Sequence, residues 1–142
     1  MSDKTIDVTA LFKGEEITAD LPYAGAVITV KYLTRKEIEE LRDSSMEKSF
    51  GKLHTETQTL NRDVFYKKVA LAAIKGWSGF IFDDGELPCT PENIGRLFDT
   101  MTGLDNAIYE LSTSFAAMQI LQRANAAKKS KLTSGTEGTT QG

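Results

Sequence analysis

The stretch Asn61-Arg62-Asp63-Val64-Phe65-Tyr66-Lys67-Lys68-Val69-Ala70-Leu71-Ala72-Ala73-Ile74-Lys75 decides how this chain folds. Asn61 places a side-chain acceptor just ahead of the first apolar residues, where a helix N-cap belongs. Beyond it, Val64, Phe65, Val69, Leu71, Ala72, Ala73 and Ile74 cover most of a helical surface. A helix that apolar sits at the centre of a core, and Ala70, Ala72 and Ala73 let neighbours approach closely. The pattern predicts a helix over 61–75, with Gly76 as its left-handed closing residue. Its unbroken apolar run, Val69 to Ile74, is the longest in the chain and far too short to span a bilayer.

Working back from this helix, the N-terminal third reads as β-structure followed by a helix. Residues 6–12 alternate, with Ile6, Val8, Ala10 and Phe12 in one row. Residues 16–21 form a weaker strand with Ile17 and Ala19 on one face. Residues 26–33 make the best strand, with Ile28, Val30 and Tyr32 on one face and Thr29 and Lys31 on the other. The short connections favour an antiparallel hairpin or meander. Thr34-Arg35-Lys36-Glu37 then has the form of a capping box, opening a helix with the inward stripe Ile38, Leu41, Ser45. Arg35 with Glu39, and Lys36 with Glu40, stand one turn apart on its wet face, which reads as a solvated surface. Residues 49–59 carry Gly51, three threonines and no periodicity, so a loop is expected there.

Working forward, Trp77-Ser78-Gly79-Phe80-Ile81-Phe82 reads as a short extended piece, with a tight turn at Asp84-Gly85. Thr90-Pro91-Glu92-Asn93 starts a helix: an acceptor at the cap and proline at the first helical position. Ile94, Leu97, Phe98 and Met101 form its apolar face, and Gly103 is expected to end it. A last helix is expected over 104–127. Its row Leu104, Ile108, Leu111, Phe115, Met118 is heptad-like but too short for a coiled coil, and Gln122 and Asn125 end the seam. The row reads first as core and second as a self-association face. Residues 130–142 hold four threonines, three glycines and one apolar residue, Leu132, the composition of a flexible polar tail. The expected fold is therefore α+β and mainly helical: a small N-terminal antiparallel β element (about 5–33), then about four helices (about 34–129), in one domain over 1–129.

Composition narrows function mainly by exclusion. The 17 Lys and Arg against 20 Asp and Glu leave a net charge of −3, which argues against broad binding to nucleic acid or anionic membrane. One Cys and one His exclude a disulfide framework, a conventional Cys/His zinc site and any two-histidine mechanism. The N-terminus, Met1-Ser2-Asp3-Lys4, has no apolar segment of the secretory kind. No nucleophile stands beside a base: Cys89 reads as a small buried residue and His54 as an exposed loop residue. Asp83, Asp84 and Glu86 lack the further acids of a calcium loop. Arg123, Lys128, Lys129 and Lys131 complement a helix C-terminus. No catalytic, cofactor-binding or metal residue is assigned, and a non-enzymatic protein is expected. Trp77 and Phe80 read first as core and second as anchors for a partner.

The segment from Val69 through Leu97 resembles the tail assembly chaperones of long-tailed bacteriophages. The resemblance is carried by Val69, Ile74, Gly76-Trp77-Ser78-Gly79, Asp83-Asp84-Gly85, Leu87-Pro88 and Thr90-Pro91-Glu92-Asn93-Ile94. In kind it extends over 26–118, since a strand enters a charged helix through Leu33-Thr34-Arg35-Lys36-Glu37-Ile38. The loop at 49–59 and the apolar run Phe80-Ile81-Phe82 depart from that pattern, and that run, where exposed, is a candidate contact for client or self. The resemblance implies a non-enzymatic protein that binds the tape measure protein and keeps it soluble until tail tube subunits polymerise around it. It also implies residence in the host cytoplasm and absence from the mature virion. A structural tail component, such as a tube or completion subunit retained in the particle, is the alternative. Many such chaperones also occur in a longer, frameshifted form, and Lys128-Lys129 is where a slippery adenine run would be encoded. The candidate contacts for client or self are Trp77, Phe80, Phe82, Ile108, Phe115 and Met118.

Overall fold

The alternating row of the best strand forms the floor of the core. In the computed structural model, which describes residues 5–50 and 56–141, strands β1 (Thr18–Tyr23) and β2 (Ala26–Lys31) form an antiparallel hairpin in register from Thr18↔Lys31 to Tyr23↔Ala26. Ala26, Ile28 and Val30 face inward, the last two fully buried, and Ile17 and Ala19 join them from the β1 side. The other flank of β2 is taken by β5 (Ile74–Ser78), antiparallel, so the sheet order is β1-β2-β5. The sheet is therefore not wholly N-terminal, because its third strand arrives after the central helix.

That helix, α3 (Arg62–Ala73), is capped as expected: the Asn61 side chain accepts from the Val64 N–H at 3.2 Å. Phe65, Val69, Ala70 and Ala73 are buried, whereas Val64 and Leu71 lie on the solvent side, so only one face of α3 is core. Gly76 does not close the helix. Ile74 turns directly into extended backbone (φ −79°, ψ 117°), and Gly76 stands in β5 opposite Thr29. The open flank of β2 offers Ile74 a pairing with Val30, which a left-handed cap would forgo.

The α+β, mainly helical class holds, with six helices among the described residues, but four local expectations give way to chemistry that periodicity does not register. Residues 6–12 are not a strand. The Asp7 carboxylate accepts from the Thr9 N–H (2.9 Å) and hydroxyl (2.6 Å), folding the chain into the single turn α1 (Thr9–Phe12) and leaving Ile6, Val8 and Phe12 exposed. Residues 49–59 are not simply a loop: β3 (Met46–Phe50) and β4 (Glu56–Leu60) form an antiparallel ribbon. Its strands carry threonine and charge rather than an apolar row, so the alternation signal is missing. His54 lies outside the described residues. The helix α2 (Arg35–Asp43), between β2 and β3, has the full capping box of Thr34 and Glu37, and Arg35 pairs with Glu39 at 3.5 Å.

The helix expected over 104–127 is broken in two. After α4 (Pro91–Thr100), capped by Thr90, Gly103 adopts a left-handed φ of 91° and serves as the N-cap of α5 (Leu104–Thr113) rather than as the end of α4. Ser112 and Thr113 turn their hydroxyls back onto the Tyr109 carbonyl, and Ser114 leaves helical geometry to accept from the Ala117 N–H at 3.1 Å. The break frees the Ser112 carbonyl to accept from the Leu33 N–H at 2.8 Å, tying the helices to the end of β2. A second helix, α6 (Phe115–Gln141), follows. The polar tail expected over 130–142 has its backbone within this span as far as Gln141, and its side chains lie outside the described residues.

The end of the apolar seam has a structural purpose. β1 is an edge strand, and α6 lies along it. Asn125 matches the Asp20 peptide on both sides, accepting from its N–H at 2.9 Å and donating to its carbonyl at 3.0 Å. Gln122 donates to the Thr18 carbonyl at 2.9 Å, and Pro22, the next residue in that alternation, has no N–H to satisfy. Gln122 and Asn125 thus stand in for a missing strand along β1, and one turn earlier Gln119 accepts from the Asp7 N–H at 3.1 Å and donates to its carbonyl at 2.6 Å, holding the segment that precedes the sheet.

Candidate docking site on the Ile81–Phe82 hairpin

β5 ends at Ser78, and Gly79 turns the chain away with φ 90°. A Cβ there would lie 2.8 Å from both the Ala26 Cα and the Gly25 carbonyl oxygen, so glycine is needed both for its left-handed backbone and for its close approach to the β1–β2 turn. The chain then forms a short hairpin, β6 (Ile81–Phe82) with β7 (Gly85–Glu86). Its two turn residues, Asp83 and Asp84, both have positive φ (48° and 64°), the signature of a type I′ turn that matches the strand twist. The turn is thus one residue earlier than Asp84-Gly85.

Trp77 holds this hairpin down. Its Nε1–H donates to the Leu87 carbonyl at 2.8 Å, and its ring meets Phe80 edge-on at 5.0 Å. The Leu87 N–H in turn donates to the Phe80 carbonyl at 2.7 Å. Asn93 donates to the Pro88 carbonyl at 2.9 Å, fastening the following segment to the first turn of α4. Gly79, Trp77, the Asp-Asp-Gly turn, Leu87-Pro88 and Asn93 thus form one connected device. What it presents is Ile81 and Phe82, 66% and 57% exposed, two large apolar side chains at successive positions of a braced hairpin. Between the hairpin and α4 is a cavity of about 200 Å³ lined by Ile81, Phe82, Leu87, Asn93, Arg96, Leu97 and Thr100.

The candidate contacts separate accordingly. Phe82 is exposed, while Trp77 and Phe80 are half-buried and brace it from below. Ile108 and Met118 are fully buried in the core and offer no free surface in this fold, and Phe115 is half-buried with its ring edge-on to Tyr32 at 5.4 Å. The Leu104–Met118 row is thus core, not an open seam. The apolar run Phe80-Ile81-Phe82 pointed to Ile81, which is exposed, whereas Arg96 at the cavity wall carried no signal in the sequence; a two-residue strand shows both its side chains, as the turn geometry at Asp83-Asp84 makes evident. Burial pushes the Cys89 thiol above its usual range, away from nucleophilic use. Among the described residues no three His, Cys, Asp or Glu side chains are placed to share a metal ion, and no helix is long and apolar enough to cross a membrane.

Comparison with known proteins returns no match: no family model, no curated protein and no solved structure is similar to the chain.

Proposed function

We propose that this chain is a non-enzymatic tail assembly chaperone of a long-tailed bacteriophage. It binds the tape measure protein in the host cytoplasm, keeps it soluble while the tail tube polymerises, and is absent from the finished virion. The observation that carries the reading is the braced hairpin: the residues of the chaperone-like motif converge on one device whose exposed product is Ile81 and Phe82. A long helical client carries apolar stripes that need cover until the tube encloses them, and adjacent exposed apolar side chains on a rigid support suit that task. Covering Ile81 and Phe82 contributes on the order of 1–2 kcal/mol each, enough for reversible binding that multiple copies on one client would reinforce. A longer frameshifted form belongs to the same reading, and the codons of Lys128-Lys129 test it directly.

The test is affinity capture of the tagged chain from cells making the other tail proteins, beside a control carrying Ile81→Ser and Phe82→Ser. The tape measure protein is expected with the natural chain and to fall about tenfold with the control. Recovery of tube or completion proteins alone, together with retention in purified virions, would replace the chaperone reading with that of a structural subunit.

A further inference from the structure

We infer that α6 beyond Leu121 is a releasable guard on the sheet edge, and that it holds off antiparallel pairing of β1 with β1 of a second copy of this chain. This edge lies across the sheet from β5, and the inference does not depend on the hairpin.

The register shows which peptide groups are at stake. Just ahead of β1, the Tyr32 N–H donates to the Ile17 carbonyl at 2.8 Å, and bonded pairs alternate along an antiparallel ladder. Ala19 and Leu21 therefore direct their peptide groups to β2, and Thr18, Asp20 and Pro22 direct theirs to the open side. α6 meets them there with side chains. Gln122 donates to the Thr18 carbonyl, and Asn125 both accepts from the Asp20 N–H and donates to its carbonyl. These are bonds that a neighbouring strand would make, supplied by amides that can let go without unwinding the helix.

The core grips only the first part of α6. Phe115, Ala117, Met118 and Leu121 pack against it, Met118 fully buried. Past Leu121, Ala124, Ala126 and Ala127 are exposed, and the helix is held by Gln122, by Asn125 and by Arg123, which donates to the Thr5 carbonyl. Between this part and β1 lies a cavity of about 350 Å³ lined by Thr18, Ala19, Asp20, Gln122, Asn125 and Ala126, so no large apolar side chain seals helix to strand. Such hydrogen bonds exchange for bonds to water at small net cost, whereas moving Met118 would forfeit its burial.

The edge is self-complementary in one register. With a two-fold axis beside Ala19, Thr18 of each copy faces Asp20 of the other and the pair exchanges both peptide hydrogen bonds. Threonine opposite aspartate also sets a hydroxyl donor beside a carboxylate, whereas centring the pair on Asp20 would oppose like charges. Pro22 has no N–H and ends the ladder on either side, which keeps it short enough for a few amides to hold off.

Sedimentation velocity of the full chain over a concentration series tests this. Gln122→Ala together with Asn125→Ala, with the fold checked by circular dichroism, should dimerise about tenfold more tightly than the natural chain. In that background Thr18→Asp, which opposes a second carboxylate to Asp20, should weaken the dimer about fivefold, and Thr18→Lys, which opposes a cation, should strengthen it by a similar factor. Asn125→Asp, which keeps the side-chain shape and loses the donor, carries the same comparison if the double variant unfolds. A released variant that associates no more than the natural chain overturns the guard. Association indifferent to the sign of charge at position 18 overturns the pairing of β1 with its copy.

Discussion

Replacing Gly79 with alanine should be among the most damaging single-methyl additions this protein can receive, although the residue is exposed. Its φ of 90° lies where a Cβ crowds the following carbonyl, which costs about 1–2 kcal/mol for an L residue. The added Cβ would also stand 2.8 Å from two backbone atoms, the Ala26 Cα and the Gly25 carbonyl oxygen, and 3.3 Å from the Ala26 Cβ. Backbone cannot rotate away as a long side chain can. Either the β1–β2 turn shifts, or β5 gives up its last rung, Val27↔Ser78, and losing a backbone hydrogen bond there adds about 1 kcal/mol. The expected loss is therefore about 2–3 kcal/mol. Gly76→Ala is the matched control in the same motif. It has no left-handed φ and no atom within 4 Å of an added Cβ, so it should change stability by about 0.5 kcal/mol or less. Urea unfolding followed through Trp77, the only tryptophan of the chain, reads both variants two residues or fewer from the change. Equal losses in the two variants, or a Gly79→Ala loss below about 0.5 kcal/mol, would refute the argument that close approach and backbone sign make this glycine necessary.

Asn125→Leu keeps the heavy-atom branching but removes both hydrogen bonds to the Asp20 peptide; a loss of about 1–3 kcal/mol is expected, with faster hydrogen exchange at the Asp20 amide by NMR as the local signature. Phe65→Ala, at a site 4% exposed and edge-on to Tyr109, should cost about 3–5 kcal/mol in the same urea assay. The capping box makes stability depend on acid. Burial disfavours the charge of Glu37, but the Thr34 N–H and Lys31 outweigh it and hold the carboxyl below its ordinary 4.5. The stabilisation is therefore complete above the ordinary glutamate range and is lost as pH falls through the lowered folded value. Glu37→Gln should flatten that acid limb, and an unchanged pH profile of the urea midpoint would show that the box contributes nothing.

What was legible in the sequence was whatever is encoded by neighbours along the chain. The caps at Thr34, Asn61 and Thr90 are local contests between a side-chain oxygen and an orphan N–H, and all three form where the residue types place them. Of the expected row Ile28, Val30 and Tyr32, the first two are fully buried as strict alternation requires, while Tyr32 lies just past the end of β2 and is half-buried. What was not legible depended on a distant partner. Ile74 and Gly76 look like the end of a helix until β2 is seen to have an open flank beside them. Ile6 to Phe12 alternates like a strand, but among the described residues no strand pairs with it, and the local claim of Asp7 on Thr9 wins. Ser112, Thr113 and Ser114 interrupt a row whose apolar spacing continues straight through the break.

The same distinction bears on the chaperone-like motif. Several of its residues set geometry. Gly79 makes the turn possible, Trp77 and Leu87 pin the hairpin, and Asn93 ties its return to α4. On the docking role proposed above, Trp77→Ala would remove binding by releasing the support, whether or not the ring itself meets a client. Ile81 and Phe82 lie at the other end of that chain of contacts, exposed and supported, where substitution changes the surface and spares the brace. Loss of client binding with an unchanged urea midpoint in Phe82→Ser, set against loss of both in Trp77→Ala, separates the surface that recognises from the scaffold that presents it.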